Sequence, residues 1–321
     1  MAEGAQLAPS AALDGVRVSE RAALATAPWI GRGDKKAADR DAVAGMREAL
    51  NELAISGRVV IGEGERDKAP MLYIGEELGH GGPATDIAVD PLEGTSLTAK
   101  GGANALAVLA MAPGGTLLNA PDVYMDKIAV GGGLPEGVVR LDAPLRDNMR
   151  ALAAAKGKDV EDLRVCVLDR SRHDSIIETV RAMGARAILI GDGDIAGVIA
   201  TTQEAGTVDL YVGQGGAPEG VLGAAALTCV GGQMETRLVA HDADERARAE
   251  RWGITDLDRV YARADMAGGD VVFAATGVTD GFLVDGVHRT REGTRTQTLL
   301  MHAAAGTVRR LSTHHGVRGG A

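Results

Sequence analysis

Val165-Cys166-Val167-Leu168 runs into Asp169-Arg170-Ser171-Arg172-His173-Asp174, and Ile188-Leu189-Ile190 runs into Gly191-Asp192-Gly193-Asp194. Leu210-Tyr211-Val212 then runs into Gly213-Gln214-Gly215-Gly216-Ala217-Pro218-Glu219-Gly220. These are apolar runs of strand length, separated by helix-like stretches near 174–183 and 194–202. The strand–helix–strand rhythm predicts a parallel sheet and an α/β fold. Ligands of such sheets collect at the carboxyl ends of the strands. Each of these ends carries acids, arginines or bare glycines.

The same pattern recurs upstream. Val59-Val60-Ile61 leads into Gly62-Glu63-Gly64-Glu65-Arg66-Asp67, and Ile87-Ala88-Val89 leads into Asp90-Pro91-Leu92-Glu93-Gly94-Thr95. In the second of these, two carboxylates stand three residues apart with a rigid Pro between them. The Gly that follows lets the backbone approach an anion closely. Hard oxygen ligands of this kind suit Mg²⁺ or Mn²⁺ bridging carboxylates to phosphate. An acidic turn after a strand is the plain alternative for this stretch taken alone. Five such ends in one chain are hard to read as five incidental turns.

Composition narrows the classes. A chain of 321 residues can bury a large core and hold two lobes. Aromatic residues are only 2%, so the core is aliphatic, and the low count argues against a base-stacking nucleic-acid platform. A net charge of −10 disfavours polyanionic partners, although bound cations can reverse the local sign at a phosphate site. The two cysteines, Cys166 and Cys229, lie in apolar segments and read as buried free thiols of a reducing compartment. Gly or a charge interrupts every apolar run before it reaches membrane-spanning length. Residues 1–15 lack the basic start and apolar centre of a signal peptide, so the expected location is the cytoplasm.

Helices are predicted over 17–30 and over 37–53. The latter shows apolar residues at Val43, Met46, Leu50 and Leu53 and places Asp39 in its first turn. Strands are predicted over 103–111 and 123–130, a helix over 145–155, and a helix near 218–229 with Pro218 in its first turn. The charged stretch 242–251 reads as a solvated helix or loop. Strands at 271–275, 296–302 and 307–313 are expected to complete the second sheet. The composition shift near residue 150 places a boundary there, giving an N-terminal lobe over 1–150 and a C-terminal lobe over 151–321.

Single motifs leave alternatives open. Gly191-Asp192-Gly193-Asp194-Ile195-Ala196 matches a dinucleotide pattern after a strand, but two aspartates beside a pyrophosphate argue against a nicotinamide cofactor. Carboxylates accept hydrogen bonds from sugar hydroxyls instead. Arg170 and Arg172 suit a phosphate, or surface ion pairs. His173 reads as a hydrogen-bonded structural residue. Gly213–Gly216 before a helix can cradle an anion, Glu219 can cap that helix or hold a metal, and Tyr124 can be core or a phosphate donor.

Taken together, the motifs resemble the class II fructose-1,6-bisphosphatases of bacteria, within the lithium-sensitive sugar and inositol phosphatase superfamily. The matching stretches are Gly31–Lys35, Val60–Asp67, Ala69–Glu76, Asp90–Thr95, Leu118–Asp122, Asp192–Asp194 and Gly215–Gly220, in order across residues 17 to 313. The resemblance implies a layered α/β/α/β/α sandwich. It implies two or more Mg²⁺ or Mn²⁺ ions held by Asp39, Glu63, Asp90, Glu93 and Glu219. Substrate contacts are implied at Glu93, Gly94, Thr95, Tyr124, Arg170, Ser171, Arg172, Asp192, Gly193, Asp194 and Gly216. Some relatives carry Lys-Pro-Arg where this chain has Arg170-Ser171-Arg172, which keeps charge but changes the shape of the phosphate contact.

The activity implied is hydrolysis of the 1-phosphate of fructose 1,6-bisphosphate in gluconeogenesis or a pentose cycle, by a homo-oligomer (dimer or tetramer). Thr95 would orient the attacking water, and Glu65 or Asp67 would take its proton. The nearest rival is a dual fructose-1,6-/sedoheptulose-1,7-bisphosphatase. An inositol phosphatase belongs with it as a different phosphatase specificity, while an NAD-dependent enzyme and a non-catalytic sugar-phosphate-binding protein stand further off.

Overall fold

The structure is a computed structural model and describes residues 6–63, 71–203 and 207–316. In chain order, α1 (Ala11–Thr26) and α2 (Lys35–Asn51) precede β1 (Ser56–Ile61), β2 (Glu77–Leu78), β3 (Ala84–Glu93), α3 (Thr95–Lys100) and β4 (Leu106–Pro113). Next come β5 (Tyr124–Val130), α4 (Leu145–Lys156), β6 (Arg164–Leu168), α5 (Asp174–Ala182) and β7 (Arg186–Ile190). These lead to α6 (Asp194–Ala200), β8 (Leu210–Gly216), α7 (Ala217–Thr228), β9 (Gln233–Val239), α8 (Ala243–Arg251), β10 (Tyr261–Ala262) and α9 (Arg263–Met266). The chain closes with β11 (Val272–Gly277), β12 (His288–Thr290), β13 (Gly293–His302) and β14 (Thr307–His315). The protein is α/β with two multi-stranded sheets, as the sequence rhythm predicts.

The chain divides into two compact units: Met1–Gly115 with Gly269–Ala321, and Thr116–Gly268. This differs from the boundary expected near 150. It also corrects the expectation that the last strands complete the second sheet. β11 pairs antiparallel with β4 and β13, and β13 pairs with β14 and β12, so all four belong to the first sheet. Strand propensity is a local property, whereas the partner a strand finds depends on residues about 160 positions earlier in the chain, such as Met111 opposite Val272.

The first sheet runs β12-β13-β11-β4-β3-β1-β2, with β14 on β13. Its core lies on one face under α1 and α2, where Val18, Met46, Leu50, Ile87, Val89, Leu109, Met111 and Val272 form a continuous buried cluster. Asp34 caps α2 by accepting from the Ala37 N–H at 2.9 Å. Asp39 is thus the fifth residue of α2, two residues further in than expected, because the helix starts at Lys35.

The second sheet runs β10-β9-β5-β8-β6-β7. β6 is parallel to β7 and β8, the predicted βαβ unit, while β5 is antiparallel to β8 and β9. One face packs Ile128, Val130, Val165, Val167 and Leu210 with residues of α4 and α5, such as Met149, Leu152, Ile177 and Val180. Alternation sends Cys166 and Tyr211 to the other face, where α6 crosses so closely that a Cβ on Gly197 would lie 2.9 Å from the Tyr211 ring and 3.1 Å from Cys166 Sγ. Both cysteines are buried thiols, and burial pushes the Cys166 thiol up to about 12.

Leu109 sits in the centre of the first sheet and is fully buried. Leu109→Ala is expected to cost about 3 kcal/mol, seen as a lower denaturant midpoint with unchanged slope.

Candidate active site

Asp90 and Glu93 close β3. Residues three apart on a regular strand point to opposite faces. Here Asp90 lies opposite Val108 and Glu93 opposite Leu106, so β3 spends three steps where β4 spends two. The extra residue is a bulge, and it returns both acids to one face. That face is the one turned away from α1 and α2, because Val89 and Leu92 belong to the cluster beneath those helices. Leu92 N–H donates to Asp90 Oδ1 at 3.1 Å. Gly94 then takes a left-handed conformation (φ +87°), which lets Thr95 begin α3 at once.

The start of α2 is tied to this turn. Gly31 N–H donates to Thr98 O and Gly33 N–H to Ala99 O, both at 2.9 Å, and Lys35 Nζ reaches Ser96 Oγ at 2.7 Å. The helix carrying Asp39 is therefore anchored to the segment that follows Glu93. Glu63 lies just past the end of β1, which runs parallel to β3, so Glu63 and Asp90 sit at the same edge of the sheet. Glu65 and Asp67 lie outside the described residues.

The chain returning to β1 is clamped by a carboxylate that sequence reading left without a role. Glu76 is buried, pairs with Arg47 Nε on α2 at 2.6 Å and accepts the Leu72 N–H. Leu72 is itself held at φ +54°, unusual for a branched aliphatic residue, and its carbonyl accepts from Glu63 N–H at 2.9 Å. Glu76 thus holds α2 and the backbone of Glu63 in one arrangement.

In the second unit, the carboxyl ends of β6, β7 and β8 lie together, and Tyr124 at the start of β5 stands opposite Gly216 at the end of β8. Tyr124, Arg170, Ser171, Arg172, Asp192, Gly193, Asp194 and Gly216 all fall at this end. Arg172 spans the Gln214 carbonyl with Nε (3.2 Å) and Nη2 (2.8 Å), and its guanidinium lies 5.2 Å from the centre of the Tyr124 ring. Arg170 is half-exposed, 3.9 Å from Asp192. His173 is buried, with Nδ1 2.8 Å from Leu168 O and Nε2 accepting from Gln214 N–H at 2.8 Å. Burial lowers its pKa, and the two backbone partners fix the neutral tautomer with the proton on Nδ1. It is a structural pin between β6 and β8, as the sequence suggests.

Beneath the same end lies a charge cluster. Lys127 on β5 is 1% exposed and pairs with Asp194 Oδ2. A Cβ on Gly215 would lie 2.3 Å from that oxygen, and one on Gly216 would lie 2.0 Å from Glu219 Oε2. Only glycine leaves room for the cluster at these two positions. Glu219, the third residue of α7, is partly buried, and its Oε2 is shielded from solvent with no hydrogen-bond partner. Burial and the Asp194 carboxylate push its pKa up to about 7, against the pull of Lys127. Asp194 opens α6 as a buried, paired carboxylate, a poor neighbour for a dinucleotide pyrophosphate.

Among the described residues no three His, Cys, Asp or Glu are already drawn together as a metal centre. The donor chemistry nonetheless fits a divalent cation. Asp90 and Glu93 share a face, and Glu219 buries an unpartnered carboxylate oxygen.

Residues 9–315 match the family model for bacterial fructose-1,6-bisphosphatase, glpX-encoded. The chain belongs to this family. A class 2 fructose-1,6-bisphosphatase 1 of Escherichia coli K12 is 47% identical over 319 residues, covering 95% of this chain and 94% of that protein. The class 2 fructose-1,6-bisphosphatases of Escherichia coli O6:H1 and Shigella flexneri are similar to the same extent. Divalent-metal dependence is general to the bisphosphatase family, which accords with the all-oxygen donor set. Lys127 was not singled out from sequence, although its place between Met125 and Ala129 on an alternating strand signals a buried cation.

Glu219 carries a pKa above that of an unfolded glutamate, so the folded chain binds this proton more tightly. Stability is therefore lost as pH rises from about 4.5 through about 7. In EDTA, Glu219→Gln is expected to raise the thermal midpoint at pH 8 and leave it unchanged near pH 4. Glu76→Ala strands the Leu72 N–H and is expected to cost about 2–3 kcal/mol in a denaturant titration.

Proposed function

We propose that the chain hydrolyses the 1-phosphate of fructose 1,6-bisphosphate, giving fructose 6-phosphate and inorganic phosphate in gluconeogenesis and central carbon metabolism. The observation that carries this is the family match over residues 9–315 on a chain whose β3 bulge sets Asp90 and Glu93 on one face. The enzyme is a phosphoric monoester hydrolase, placed here within the lithium-sensitive phosphatase superfamily.

Asp39, Glu63, Asp90, Glu93 and Glu219 hold the cations in this reading. Two or more Mg²⁺ or Mn²⁺ ions supply charge neutralisation to the anionic reaction and acidify water. Thr95, at the first position of α3, orients the attacking water, and Glu65 or Asp67 takes its proton. The water oxygen bonds to phosphorus as the phosphorus–O1 bond breaks, and O1 takes up a proton to leave as the sugar hydroxyl, balancing the one the water gave up. Arg170 and Arg172 anchor the distal 6-phosphate, with Ser171 between them in the same turn. Tyr124 and the Gly94 and Gly216 backbones line the substrate. Asp192 and Asp194, flanking Gly193, accept from sugar hydroxyls.

No helix among the described residues is long and apolar enough to cross a membrane, and the reading places a homo-oligomer, dimer or tetramer, in the cytoplasm. The test is phosphate release from fructose 1,6-bisphosphate with and without Mn²⁺, beside sedoheptulose 1,7-bisphosphate and inositol 1-phosphate. Asp90→Ala and Glu93→Ala are expected to drop release by at least about 10³-fold with an unchanged circular dichroism spectrum. Near-normal turnover in a folded Asp90→Ala protein refutes the mechanism.

A further inference from the structure

The geometry points to Lys127 as a positioning residue that serves two acids of opposite duty: it fixes Asp194 for the sugar and weakens the hold of Glu219 on a cation. The inference rests on the roles given above to Asp194 and Glu219. Lys127 is 1% exposed and pairs with Asp194 Oδ2, and Asp194 is itself 7% exposed. A buried lysine is costly unless paired, so this one is held by what it does for its neighbours.

The space around it is cleared by glycine. A Cβ on Gly215 would lie 2.3 Å from Asp194 Oδ2 and 3.2 Å from Lys127 Nζ, and a Cβ on Gly220 would lie 3.4 Å from Lys127 Cε. The first turn of α7, which carries Glu219, therefore packs directly on the lysine. The ammonium takes one oxygen of Asp194 and leaves Oδ1 as the acceptor for a hydroxyl. Its charge also acts on Glu219, the residue before Gly220, whose Oε2 has no hydrogen-bond partner.

Removing the lysine charge therefore has opposite consequences for the two ligands. Lys127→Met releases Asp194, so the KM for fructose 1,6-bisphosphate should rise roughly tenfold while kcat changes less. The same variant leaves Glu219 facing an incoming cation without a competing ammonium. The Kd of Mn²⁺, measured by calorimetry on the purified full chain without substrate in a buffer alkaline enough to keep Glu219 ionised, should fall roughly tenfold. Asp194→Asn frees Lys127 to act on Glu219 alone and should weaken Mn²⁺ binding instead.

A lysine that merely supports the fold would weaken both ligands together. Weaker Mn²⁺ binding in Lys127→Met, or an unchanged KM, overturns the assignment. If Lys127→Met does not fold, the charge-balanced Lys127→Met/Asp194→Asn protein decides. Its Mn²⁺ Kd is expected within a few-fold of wild type, and a shift beyond tenfold overturns the idea. Failure of the proposed reaction shows separately, as absence of phosphate release by the wild-type protein, while the Mn²⁺ titrations still read the role of Lys127.

Discussion

One inserted residue between Asp90 and Glu93 governs the first unit. Without it, strand alternation would bury one acid beneath α1 and α2 among Val89, Leu109 and Met111, where an unpaired carboxylate is prohibitive. With it, Leu92 keeps the core contact and Glu93 turns to the side of Asp90. Pro91 suits such a place, because a bulge tolerates a residue that donates no ladder hydrogen bond. The left-handed Gly94 then turns the chain at once into α3, whose carbonyls receive the loop that begins α2. The register defect thus propagates into the placement of a second element.

The two units solve carboxylate crowding differently. The first uses backbone: a bulge, a glycine turn and the strained Leu72 held by Glu76 and Arg47. Strain of this kind persists only where surroundings over-determine it. Leu72 meets that condition, since its N–H, carbonyl and side chain are all engaged at once. The second unit uses an internal counter-charge and glycines that admit it.

Much of this was legible in sequence because the informative signals are short-range. Asp90–Thr95 carries its acids, proline and glycine within six residues, and the βαβ rhythm from 164 to 212 is a local pattern. The ends of β6 and β7 therefore fall where the pattern predicts, whereas β8 runs on through Gly213–Gly216, paired with β5, in place of the expected glycine turn. What escaped was set by long-range pairing. β11 to β14 look the same whichever sheet receives them, and only their register with β4 decides. The bulge cannot be counted on one strand alone, because it is a mismatch between two. Lys127 was visible by alternation, but its partners Asp194 and Glu219 lie 67 and 92 positions away.

The charge count in the second unit carries a final consequence. Lys127, Asp194 and Glu219 bring one positive and two negative charges into a small space that only glycines leave open. A buried net negative charge is relieved either by a proton or by a cation. The raised Glu219 pKa is the proton solution, and in the proposed metal site a cation on the partnerless Oε2 would be the other. Both act on the same oxygen atom, so they compete. If Glu219 holds a cation as proposed, acidic conditions that protonate it remove a ligand before they loosen the fold, because the neutral side chain is the form that burial prefers. Loss of cation affinity and loss of stability then run in opposite directions with pH: affinity falls on acidification while this pocket becomes easier to bury.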